Sequence, residues 1–84
     1  MENVKEFIAK APWKATNHAG SHEYIHTSKV PVEDITELID QIKRNGVNEK
    51  FGKSTYKYLY LDGYKYWYCR DFQGTGWCVN RAAV

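Results

Sequence analysis

Thr55-Tyr56-Lys57-Tyr58-Leu59-Tyr60-Leu61-Asp62-Gly63-Tyr64-Lys65-Tyr66-Trp67-Tyr68-Cys69-Arg70 is the stretch on which the fold turns. Two runs rich in aromatic and β-branched residues flank an Asp-Gly pair, the dipeptide best suited to a type I′ hairpin because both central residues need positive φ. With Asp62 and Gly63 at the turn, Leu61 faces Tyr64 and the register of the hairpin follows. One face then carries Lys57, Leu59, Leu61, Tyr64, Tyr66, Tyr68 and Arg70. The other carries Tyr56, Tyr58, Tyr60, Lys65, Trp67 and Cys69. Both faces are too aromatic to be simply solvated.

Upstream of the hairpin, Pro31 to Asn45 sets Val32, Ile35, Leu38, Ile39 and Ile42 on one helical stripe. Glu33, Asp34, Glu37, Asp40 and Lys43 lie mostly away from it. Acidic residues near the start, Lys43 and Arg44 near the end, and Gly46 as a left-handed cap bound this helix, with Pro31 in its first turn. Residues 48 to 52 read as a loop. His22 to Thr27 reads as a strand with His22, Tyr24 and His26 on one face and Glu23, Ile25 and Thr27 on the other. Val4, Phe7 and Ile8 predict a short N-terminal helix that Pro12 stops, and Trp13 to Ser21 reads as extended or looping. Asp71 to Gly76 reads as a turn before a last strand over Trp77 to Arg81. The expected architecture is one α+β domain over residues 1–84, a β-α-β-β-β antiparallel sheet with one amphipathic helix on one face and a short N-terminal helix. The opposite face has no second helix to cover it.

A chain of 84 residues holds one modest core. No apolar run approaches the roughly 18–20 residues of a membrane span, and the first residues lack the continuous apolar stretch of a secretory signal. A net charge of +2 is far from the single-sign excess of a duplex-DNA-binding domain. Two cysteines, Cys69 and Cys78, without an export signal read as thiols, and the expected compartment is the cytoplasm.

Several of these residues occur together in a layout that resembles a group of small bacterial and phage proteins. The shared elements are His22-Glu23-Tyr24-Ile25, a helix ending in Arg44-Asn45-Gly46, Phe51-Gly52, Tyr56-Lys57-Tyr58-Leu59, Asp62-Gly63-Tyr64-Lys65-Tyr66-Trp67 and Asn80-Arg81-Ala82. Each motif is short and only the combination is specific. The resemblance implies the fold outline and draws attention to these residues; it brings no activity with it.

The ring-bearing residues suggest a site. Tyr56, Tyr58, Tyr60, Tyr64, Tyr66 and Trp67, interleaved with Lys57 and Lys65, could stack a base or sugar ring while the lysines reach phosphate. The plainer reading is that most rings are core or cross-strand packing. Arg81 beside Asn80 offers a guanidinium fork for phosphate or carboxylate, or is a solvated terminal cation. His22 and Tyr24 form a polar pair at a strand end, able to meet a ligand or only a backbone carbonyl. His18, His22 and His26 do not supply the converging ligand set of a zinc site, and no cofactor is called for. Catalysis has little support, because His22 and Glu23 point to opposite faces. The expected function is a non-catalytic module for a small phosphate-bearing ligand, a nucleotide or cyclic nucleotide, and a phage-encoded sequestering role would suit it. A homodimer could form through the open sheet face. Single-stranded nucleic-acid binding and a protein-interaction or inhibitor role are the alternatives.

Overall fold

The computed structural model describes residues 2–15, 22–70 and 77–84, together with the backbone but not the side chains of Glu2 and Arg70. The expected turn over 71–76, His18 and most of the segment before the first expected strand lie outside the described residues. Helix α1 spans Glu2–Lys10, strand β1 Lys14–Ala15, β2 His22–His26, helix α2 Val32–Asn45, β3 Val47–Phe51, β4 Ser54–Leu61, β5 Tyr64–Arg70 and β6 Trp77–Ala83. The strands form one antiparallel sheet in the order β1-β2-β6-β5-β4-β3. This is the expected α+β architecture, enlarged by two edge strands.

The hairpin turns as its sequence requires. Asp62 and Gly63 have φ of 50° and 85°, and Leu61 pairs with Tyr64. Gly63 also accepts a bond from the Val84 amide at 2.9 Å, which ties the chain end to the turn. In α2, Ile35, Leu38 and Ile42 are fully buried and Ile39 partly, whereas Val32 at the first turn is 69% exposed. Pro31 stands at the cap rather than inside the helix, and its carbonyl accepts from the Asp34 and Ile35 amides.

Three expectations change. Gly46 is not left-handed: its φ of −71° and ψ of 158° lead straight into β3. Glycine is needed there for close approach, since a Cβ would lie 2.4 Å from the Ile42 carbonyl oxygen and 2.6 Å from Lys57 Cγ. The segment read as a loop is mostly β3, an edge strand whose Asn, Glu and Lys obscure its pairing with Tyr58, Tyr56 and Thr55. Gly52, with φ of 65°, makes the turn into β4. Thr27 does not extend β2 but starts a single 3₁₀ turn, Thr27–Lys29, capped by His26 Nδ1 accepting from the Ser28 amide at 3.1 Å.

Both helices lie on the same side of the sheet. The core joins Val4 and Phe7 of α1, Ile35, Leu38 and Ile42 of α2, and Ile25, Leu59, Tyr66 and Val79 of the strands. Lys57 Nζ donates to the Lys43 carbonyl at 2.9 Å and so satisfies an acceptor left open at the end of α2. None of the helices is long and apolar enough to cross a membrane, among the described residues.

Replacing Leu38 by alanine removes a wholly buried side chain and should cost about 2–5 kcal/mol in urea unfolding, whereas Val32→Ala should stay within about 0.5 kcal/mol.

Candidate ligand-binding face

Alternation along each strand sorts the expected site residues into two groups. Register places Tyr24 beside Asn80 and Asn80 beside Trp67 in one row. The next row runs from His22 to Ala82 to Lys65 to Tyr60. His22, Tyr24, Tyr58, Lys65, Trp67 and Asn80 therefore share the face away from the helices. Lys57, Tyr66 and Arg81 do not join them: all three lie on the helix side.

On the helix-free face the rings form a connected series. Trp67 meets His22 at 5.6 Å between centroids and Tyr58 edge-on at 5.4 Å. Tyr58 in turn meets Tyr56 at 6.2 Å and Tyr60 at 6.5 Å. Lys65 Nζ stands 4.7 Å from the Tyr58 ring centroid, a cation–π contact that leaves the ammonium at the surface. In that row the methyl group of Ala82 stands between His22 and Lys65. The rings are half-buried or exposed, with Tyr60 at 45% and Phe51 at 75%; wide ring faces remain accessible.

Hydrogen bonds tune parts of this face. The Tyr60 hydroxyl donates to the Glu49 carboxylate, and that bond, with a smaller contribution from burial, raises the Tyr60 pKa. Desolvation raises the Tyr58 pKa, helped by the nearby Glu49 and Tyr56. Both phenols are thus neutral donors at physiological pH. Asn80 is 8% exposed and its Nδ2 donates to Cys69 Sγ at 3.3 Å. Where β1 and β2 end, a hollow of about 380 Å³ is bordered by Lys14, Tyr24, His26 and Lys29.

Arg81 is built into the other side. Its guanidinium lies 4.3 Å from the Trp13 ring centroid and 4.4 Å from that of Tyr64, and its Nε donates to Glu23 Oε1 at 2.8 Å. Burial opposes the charge, but Glu23 and Tyr66 outweigh it and hold the Arg81 pKa above the ordinary arginine value. Tyr66 is raised by its own burial, in part offset by the Arg81 cation. The Trp13 indole, fixed by donating to the Ile8 carbonyl at 2.9 Å, closes the stack. A small hollow of about 180 Å³ remains beside Arg81 and Lys5.

Strand alternation puts Glu23 on the face of Ile25 but does not bring it opposite Arg81, because the register of β2 with β6 spans most of the chain. Lys14, paired with Tyr24 at the sheet edge, and Trp13, packed on Arg81, are not singled out by the sequence. Neither has a local signal beyond a tryptophan after Pro12. Among the described residues no three His, Cys, Asp or Glu side chains converge as a metal site would require. Comparison with protein-family models, curated proteins and solved structures gives no match to this chain.

Glu23→Ala strands a largely buried guanidinium and should cost about 1–3 kcal/mol in chemical denaturation. Arg81→Lys should not restore the stability lost in Arg81→Ala, since an ammonium cannot stack between two rings and keep the fork to Glu23.

Proposed function

We propose that this protein is a non-catalytic binding module for a small phosphate-bearing ligand with a planar ring, a nucleotide or cyclic nucleotide, held on the helix-free face. The observation that carries the reading is the connected ring series His22, Trp67 and Tyr58, with Lys65 against the Tyr58 ring. A base laid on the accessible ring faces of this series gains stacking contacts worth about 1–3 kcal/mol each.

The phosphate role expected of Arg81 and Lys57 passes to cations that face the same way as the rings. Lys65 is one. Lys14, paired with Tyr24 beside the β1 hollow, is another. Tyr24 and Trp67 are two strands apart, which at about 4.8 Å per strand is roughly 10 Å, the reach from a base to its phosphate. A second copy laid face to face would turn the platform into a pocket between subunits. Sequestration of a signalling nucleotide in a bacterial or phage setting fits so compact a chain, and a cytoplasmic location fits its two thiols.

Single-stranded nucleic acid is the second reading, favoured by the breadth of the same face. Calorimetry of the full chain against mononucleotides, cyclic nucleotides and short single-stranded oligonucleotides separates the two. The proposal expects saturable nucleotide binding with a shallow salt slope, weakened by about 1–3 kcal/mol in Trp67→Ala and less in Lys65→Ala. Affinity that grows with oligonucleotide length and falls steeply with salt would favour the strand-binding reading. Absence of binding to the whole panel would overturn both.

A further inference from the structure

Cys69 of β5 and Cys78 of β6 are direct cross-strand partners. Residues opposed in an antiparallel pair have Cα atoms about 4.5 or 5.5 Å apart, and both spacings fall within the roughly 4.4–6.8 Å that a disulfide spans. Opposed residues also project from the same face, so the two sulfur atoms are directed to one side of the sheet. Both are thiols in this structure. Their environments differ: Cys69 is exposed, whereas Cys78 is half-buried. The Asn80 amide, itself nearly buried, holds Cys69 Sγ through a bond of 3.3 Å.

We propose that these two residues are a reversible oxidation site, in which Cys69 reacts first with a hydroperoxide and Cys78 resolves it to an intrachain disulfide. The reading is independent of the ligand assigned to the sheet face. Exposure decides which thiol meets the oxidant, and opposition in register decides which thiol follows. With hydrogen peroxide, Cys69 sulfur bonds to one peroxide oxygen and the O–O bond breaks. The departing oxygen takes up the thiol proton and leaves as water, so that Cys69 becomes a sulfenic acid. Cys78 sulfur then bonds to Cys69 sulfur and the S–O bond breaks. The oxygen leaves as a second water with the Cys78 proton. Two thiols and one peroxide thus give one disulfide and two waters, with sulfur oxidised and peroxide oxygen reduced. Two equivalents of glutathione reverse the step by thiol–disulfide exchange and become glutathione disulfide.

Cys69 lies two residues beyond Trp67 on the same strand face, and Asn80, which holds it, is the direct neighbour of Trp67 in register. The oxidised bridge therefore forms at the border of the ring series.

The test treats the reduced full chain with equimolar hydrogen peroxide and follows it by intact mass and non-reducing peptide mapping. The expected product is a monomer lighter by two hydrogens, linked between Cys69 and Cys78, and returned to the starting mass by glutathione. Limited alkylation of the reduced wild type should label Cys69 before Cys78, a readout that needs no variant to fold. In Cys78→Ser, dimedone should trap a sulfenic acid at Cys69, and Cys69→Ser should react several-fold more slowly. Preferential labelling of Cys78, links only between chains, or survival of both thiols under peroxide would overturn the assignment.

Discussion

Among the described residues both helices pack on one side of a six-stranded sheet, and that one-sided cover decides what the other face presents. Alternation forces every strand to place half of its side chains on each face, so the aromatic residues of β4 and β5 cannot all be sheltered. Tyr66 is enclosed at 2% exposure beneath the helices, whereas Trp67, its neighbour in sequence, must project to the side with no helix. Among the described residues no further layer lies over it. The ring-lined face follows from topology before any ligand is considered.

The helix side is closed by apolar packing at its centre and by a cation at its margin. Leu38, Ile42 and Val79 have no measurable exposure, as expected for the seam between α2 and the middle strands. Toward the end nearer α1, the core gives way to Arg81, flattened between Trp13 and Tyr64 and paired with Glu23. This arrangement sets the guanidinium against two rings while its Nε–H donates to Glu23, a combination that lysine's compact ammonium does not reproduce. It also explains why the most conspicuous arginine of the C-terminal segment belongs to the scaffold side. The cation that stands among the rings of the opposite face is a lysine, Lys65.

Local patterns made much of the architecture legible. The period of Ile35, Leu38 and Ile42 marks α2, and Asp62-Gly63 marks the hairpin, because in both cases the deciding contacts lie within a few residues. The face assignments of Tyr58, Lys65 and Trp67 came from the same register. What stayed hidden depends on distant pairing. Val47–Phe51 has the charged, mixed composition of an edge strand and becomes β only through β4. Gly46 looked like a left-handed cap until its crowding against Ile42 and Lys57 supplied another reason for glycine. Arg81 could be placed only by pairing Glu23 with it across 58 positions, which no local period reveals.

The central claim is that ligand recognition belongs to the helix-free face and not to the hollow beside Arg81. Nuclear magnetic resonance of an isotopically labelled chain titrated with adenosine monophosphate tests it residue by residue. The account predicts shifts concentrated at His22, Tyr58, Lys65 and Trp67, with the Leu38, Ile42 and Val79 methyl groups unmoved. Shifts centred on Lys5, Tyr64 and Arg81, with the Trp67 indole unchanged, would contradict it.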